Sequence, residues 1–276
     1  MPKTKLPISK SWAIRMIFLD MIYGQSTGYR VIRYFRNQSR NILAGDIKAA
    51  LSCVEAHMSG RKTFNVGNSG TVCRFLIYFL DGKKYKIKKG RQLLRRKIIV
   101  PKNLSALSLS KLLELGTSQF ASAALLKGMK PIKNLPPKCQ LSIQARRVYF
   151  KNRGEWIPRN DEVISRQIKH FLSGGKFRPL IAEDYCYARA FSFITQKEGK
   201  RRWPELANHE CNRLKVMEEV CKNFNKKVNV HNDHRVAMAA ALRQKSLGLP
   251  VRLNNRGCVS KSWPQFWHWL KENSLL

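Results

Sequence analysis

The chain has 276 residues, 53 of them Lys or Arg and 17 Asp or Glu, for a formal charge of +36. Hydrophobic residues make up 43%, which excludes a disordered basic tail and leaves material for one large core or two modest ones. The charge predicts attraction to polyanions or anionic metabolites; scattered through the whole chain, it is weak evidence for a nucleic-acid partner, and a compositionally biased genome would give the same excess.

Seven Cys, an odd number without a CxxC pair, read as reduced thiols of a cytoplasmic protein. The first apolar run, Trp12 to Tyr23, is interrupted by Arg15 and Asp20, so it forms no clean signal-peptide core. No stretch reaches the length of a membrane span. We expect a cytoplasmic monomer with no membrane contact.

Five segments share one pattern: a small or polar cap, a strongly apolar helix, then Gly. Ser9-Lys10-Ser11 precedes Trp12 to Tyr23, ending at Gly24. Asn68-Ser69-Gly70-Thr71 precedes Val72 to Leu80, ending at Gly82, and Thr117-Ser118-Gln119 precedes Phe120 to Leu126, ending at Gly128. Asp184 precedes Tyr185 to Ile194, ending at Gly199, and Asn232-Asp233 precedes a helix through Val236 to Leu242, closed by Gly248. Ser, Thr and Asp accept hydrogen bonds from the free amides of a first turn, and Gly closes a last one. The starts recur at roughly even intervals, an approximate repeat of helices buried on most sides. Short runs between them read as strands: Lys97 to Val100, Cys139 to Ile143, Arg147 to Phe150 and Val251 to Leu253. Lys83 to Arg91, the densest charge run, alternates Lys with Tyr85 and Ile87, as a half-exposed strand does. Helices packed on such sheets give an α/β or α+β fold. The basic, turn-rich stretch from Lys151 to Phe177 could hold a domain crossing.

Several helix starts carry cations. His234 and Arg235 fall in a first turn, where the helix dipole disfavours positive charge; an Arg placed there suggests a bound anion, with a solvated Arg as the plainer reading. Ser11 and Arg15, four apart, share a helix face beside Lys10 and could hold a phosphate or carboxylate. Gly67-Asn68-Ser69-Gly70-Thr71 lets the backbone approach a ligand closely. Glu210 and Arg213 share a face, readable as a surface ion pair. Lys261 precedes an aromatic helix, Phe266 to Leu270. His209, His231 and His234 lack metal-ligand spacing, so no metal is proposed. There is no GxGxxG or P-loop pattern and no recognised RNA- or DNA-binding motif.

Taken in order, these segments resemble the 5-enolpyruvylshikimate-3-phosphate synthase family: Ser9-Lys10-Ser11 with Arg15, Asn68-Ser69-Gly70-Thr71 with Arg74, Thr117-Ser118-Gln119-Phe120, Asp184, Glu210 with Arg213, Asn232-Asp233-His234-Arg235, and Lys261. The resemblance implies two halves of repeated β-α-β-α-β-β units closing over substrates, with at least one unit trimmed. By it, one half would span 13–150, and the other 1–12 with 151–276. It implies enolpyruvyl transfer from phosphoenolpyruvate to the 5-hydroxyl of shikimate 3-phosphate, with phosphate released and no cofactor. Shikimate 3-phosphate would be held by Lys10, Ser11, Arg15, Thr117, Ser118, Gln119, Asp184 and His209. Phosphoenolpyruvate would be held by Lys10, Asn68, Gly70, Thr71, Lys97, Gln119, Arg213, Arg235 and Lys261. Asp184 would be the base, with Lys10, Glu210, His234 and Lys261 in the other proton transfers and in charge stabilisation. The chain departs from the family in showing five helix starts rather than six. His209 stands where the family has Lys, and Lys97 and Ile98 stand where it has Arg-Pro. Two rival readings are an inactive remnant that binds anions and a basic nucleic-acid binder.

Overall fold

A computed structural model of the chain describes residues 6–95, 98, 100–208 and 211–273. It divides into two compact units, residues 8–159 and residues 1–7 with 160–276. The unit boundary near residue 159 falls inside the basic, turn-rich stretch. The described residues make a mixed α/β protein dominated by helix, with one two-stranded parallel sheet. No described helix is long and apolar enough to cross a membrane.

In the unit of residues 8–159, α1 (Lys10–Thr27) is the axis. Trp12 through Asp20 are all buried, so the helix is covered on every side over its first half. Ser9 caps it by accepting from the Trp12 amide. The predicted end at Gly24 is wrong. Gly24 stays helical, pressed against the Tyr29 ring, and the chain turns at Gly28, whose φ of 71° is left-handed. Around α1 pack α2 (Arg30–Arg36), α3 (Gly45–Met58), α7 (Ser118–Lys127) and α8 (Pro137–Lys151). The sheet pairs β1 (Thr63–Gly67) with β2 (Lys86–Lys89), and α4 (Gly70–Phe79) connects them; the short helices α5 (Arg91–Leu94) and α6 (Leu109–Leu113) follow. In β2 the Lys residues alternate with inward positions as the sequence pattern predicts.

The strands read at Cys139 to Ile143 and Arg147 to Phe150 are instead one helix, α8. Pro137 sits in its first turn, where the missing amide hydrogen costs nothing. Its buried positions are Cys139, Ser142, Ala145 and Tyr149, a helical spacing of three and four that does not show within windows of four or five residues.

In the other unit α13 (His234–Ser246) takes the axial place, buried from Val236 to Leu242. It packs against α10 (Tyr185–Ala190) and α12 (Arg213–Lys222). The unit also holds α9 (Glu162–Ser173), α11 (Gln196–Arg202) and α14 (Phe266–Glu272). The expected helix from Tyr185 to Ile194 stops at Ala190, and Gly199 lies inside α11, where the Tyr185 ring leaves no room for a Cβ. The Val251 to Leu253 run makes only one bridge, Leu253 with Val228. Of the Lys97 to Val100 run, Lys97 and Ile99 lie outside the described residues.

One buried acid marks the interior of the first unit. Asp20, which interrupts the apolar run of α1, is fully buried and accepts from the Tyr149 hydroxyl at 2.7 Å and the Ile32 amide at 2.9 Å. Burial raises its pKa, and these hydrogen bonds oppose the rise. A carboxyl raised in the folded state favours folding while protonated, and loses that advantage as pH rises above the unfolded carboxyl range. Tyr149→Phe removes the shorter bond. We expect a loss of about 1–3 kcal/mol at neutral pH, and a smaller loss in acid, where the carboxyl is protonated in both states. Urea unfolding at both pH values tests this; equal losses would contradict the assignment.

Candidate active site

In the unit of residues 8–159, three helix starts carry the predicted residues. Ser69 caps α4 by accepting from the Val72 amide, and Thr117 caps α7 by accepting from the Gln119 amide. Gln119 ties the two starts together. Its Nε2 donates to Thr71 Oγ1 at 2.8 Å, and its Oε1 accepts from Arg74 Nη1 at 2.8 Å. Arg is only a donor, so the amide orientation is settled. Gly70 matters for the same reason: a Cβ there would stand 2.9 Å from Arg74 Nη1, which Gln119 holds. Asn68 is exposed, with its side chain close to Gly90; Ser118 is half-buried at the first position of α7. Two helix N-termini, one guanidinium and one fixed amide thus share a surface, an arrangement that favours an anion.

Lys10 opens α1, and its Nζ lies 3.3 Å from Asp46 Oδ2, with both side chains more than four-fifths buried. Asp46 was not singled out from sequence. Its one local signal is an acid in the first turn of α3, where the helix dipole favours it. Ser11 is half-buried, and its carbonyl accepts from Arg15 Nη1 at 2.8 Å. Arg15 is buried and also donates to Ser142 Oγ, Ser122 Oγ and the Lys138 carbonyl. Four of its five N–H groups therefore meet neutral oxygens, and burial pulls its pKa down to about 10, so it stays charged at neutral pH. The predicted partnership of Ser11 with Arg15 exists, through the Ser11 backbone.

In the other unit, Asp184 is wholly buried at the start of α10. It does not cap that helix through its side chain. Arg166 Nη2 donates to both of its oxygens, at 3.0 and 2.8 Å, Gln167 to Oδ1, and the Leu180 and Ile181 amides to Oδ2. Arg166 was missed because it lies 18 residues upstream, on α9, in a stretch that read as a turn-rich crossing.

Asp233 caps α13 as predicted, accepting from the Arg235 and Val236 amides. The same carboxylate accepts from Arg213 Nε at 2.7 Å and Nη2 at 3.2 Å. Arg213, at the first position of α12, is buried, so the surface-pair reading gives way to an interior fork that joins two helix starts. His234 follows, buried in the first turn of α13. Arg235 is half-buried, and its Nη1 is shielded from solvent with no hydrogen-bond partner. Lys261 ends a short 3-10 turn, Gly257–Lys261, and is half-buried. Lys97, His209 and Glu210 lie outside the described residues.

Cys73 is buried, and burial pushes its thiol up; Cys186, also buried, is pushed up to about 12. No group of His, Cys, Asp and Glu able to hold a metal occurs among the described residues.

Residues 207–270, about a quarter of the chain, match the family model of EPSP synthase (3-phosphoshikimate 1-carboxyvinyltransferase). Over this segment, which contains Arg213, Asp233, His234, Arg235 and Lys261, the chain is EPSP synthase-like. No curated protein and no solved structure gives a match.

The two arginines of this segment differ in what they do for the fold. Arg213→Ala removes a buried bidentate partner, and we expect a loss of about 3–5 kcal/mol. Arg235→Ala removes an unpartnered guanidinium, and we expect a change within about 1 kcal/mol. Denaturant unfolding of both variants checks the contrast; similar losses would mean that Arg235 is a structural residue.

Proposed function

We propose that the chain is a shortened enolpyruvyl transferase, moving the enolpyruvyl group of phosphoenolpyruvate to the 5-hydroxyl of shikimate 3-phosphate and releasing phosphate. The observation that carries the proposal is Arg235. It sits in the first turn of α13, inside the segment that matches the family, with a buried Nη1 and no partner for it. The fold gains nothing from a cation placed there against the helix dipole, whereas an anionic substrate does. Recurrence of capped, all-round buried helices, α1, α7 and α13 above all, supports the repeated-unit architecture of the family.

The reaction needs cations around the developing charge, a base for the attacking hydroxyl and an acid for the methylene carbon. Arg213 holds its place through Asp233, and with Arg235 and Lys261 it forms the set assigned to phosphoenolpyruvate. Asn68, Gly70 and Thr71 are assigned to the same substrate, while Gln119 and Lys10 serve both and Lys97 is added from sequence alone. Ser11, Arg15, Thr117, Ser118 and His209 are assigned to shikimate 3-phosphate. Lys10 is already paired with Asp46, so a bound anion would share its cation rather than gain a new one. The roles of Glu210 and His234 in proton transfer rest on the resemblance.

A second reading has its own observation. Asp184, the proposed base, is buried and already accepts from Arg166, Gln167 and two backbone amides. A base needs a free lone pair within about 3 Å of the proton it takes. Asp184 must shed a donor before it can act, and a chain in which it never does would bind both anions without turnover.

Phosphate release from phosphoenolpyruvate, measured with and without shikimate 3-phosphate, separates the readings. The transferase gives release that requires both substrates and falls about 10²–10³-fold in kcat/KM in Lys10→Ala, the scale of losing one charge-stabilising donor. Calorimetric binding of both substrates to folded protein without release would sink the transferase reading and leave the binding one.

A further inference from the structure

The densest charge run, Lys83 to Arg91, contributes none of the residues assigned to the two substrates. In the unit of residues 8–159 this run borders a groove of about 460 Å³. Buried Phe64 and Leu80 form its floor, and half-buried His57 and Tyr85 line its walls. Four exposed cations ring it: Arg61, Lys62, Lys83 and Lys84. No acidic residue lines the groove, and among the described residues none of the four cations has an ion-pair partner. The neighbouring acid, Asp81, accepts from the Ser105 amide.

The charge continues beyond the groove. Lys86 and Lys88 stand exposed on β2 while Ile87 between them packs on the core. Alternate residues of a strand lie on one face about 7 Å apart, so Lys86 and Lys88 share the exposed face of β2, opposite Ile87. Burial, with Lys83 nearby, lowers the His57 pKa, which keeps its ring neutral. Neutral ring faces beside unpaired cations match the chemistry of an unpaired base on a phosphate backbone. The lysines along β2 exceed what one nucleotide would occupy, and a duplex would keep its bases stacked away from the rings. An acidic peptide would use the cations but leave the rings idle.

We propose that this groove binds single-stranded nucleic acid, with Tyr85 and His57 against bases and Lys83, Lys84, Lys86 and Lys88 against phosphates. The proposal is independent of the transferase reading and of its residues.

Fluorescence anisotropy of the full chain with a labelled oligouridylate 12-mer, between 50 and 200 mM salt, tests it. Lys83→Ala with Lys84→Ala should weaken binding and flatten the slope of log K against log salt by about 1.4, near 0.7 for each phosphate contact on a single strand. Lys130→Ala with Lys133→Ala removes the same charge from exposed positions elsewhere and should leave the slope unchanged. Tyr85→Leu should weaken binding about 5- to 150-fold, the range of one lost stack, with Tyr85→Phe retaining it. Equal losses in the two lysine pairs would overturn the proposal, because they would mean attraction to net charge alone. So would duplex binding as tight as single-strand binding, or equal competition by uridine monophosphate or polyglutamate. Thermal unfolding of each variant shows that it is folded. If Tyr85→Leu is not, the lysine pairs decide, since their side chains are exposed.

Discussion

One carboxylate organises the segment that carries the family likeness. Asp233 accepts from two first-turn amides of α13 and from the fork of Arg213 on α12. It therefore fixes where α13 begins and ties the Arg213 side chain of α12, a helix that Asn212 caps, to that start, and it does so in a buried place, where the pair must stay intact to be tolerated. Arg213 is held by the fork, and Arg235 is aimed by the first turn that Asp233 caps. If the carboxylate were lost, neither guanidinium would keep its position. The geometry that a ligand would read is thus built from a contact that also closes the core.

The unit of residues 8–159 solves a similar problem with an uncharged group. Gln119 joins the starts of α4 and α7 by donating to Thr71 and accepting from Arg74. An amide can do both, while a carboxylate could only accept. That choice leaves the charge of Arg74 unneutralised by Gln119. At Lys10 the opposite choice is made, and Asp46 offsets the ammonium at 3.3 Å. Arg15 sits between these cases, charged and buried among hydroxyl and carbonyl oxygens. Of these starts, that of α1 thus carries one ammonium offset by a carboxylate and one guanidinium held by neutral oxygens.

What could be read from the chain beforehand follows from range. Caps are local, so Ser9, Ser69, Thr117 and Asp233 were legible from their own neighbourhoods, and each accepts a first-turn amide. Asp184 looked the same and is not: its acceptors face the backbone before it and Arg166 on another helix. Asp46 and Arg166 went unseen because nothing in their own neighbourhoods names the partner 36 or 18 residues away. Helix ends failed where a Gly serves packing rather than turning, as Gly24 does against Tyr29 and Gly199 against Tyr185. α8 was misread as two strands because period two and period 3.6 are hard to tell apart over four or five residues.

The large positive charge can now be divided by environment rather than counted. Part of it is bound in ion pairs, such as Arg189 with Glu218 and Arg36 with Glu55. Part is buried and hydrogen-bonded, as in Arg15. With 17 acids for 53 bases, the cations far outnumber the carboxylates that could pair with them. Excess alone therefore says little; what distinguishes a place is the company its cations keep. At Arg235 the company is a helix N-terminus and a buried nitrogen without an acceptor. Beside Tyr85 it is a ring-lined groove with no acid in its wall. The first suits a small, strongly charged anion held at a few fixed donors. The second suits a longer anion that carries flat apolar groups between its charges.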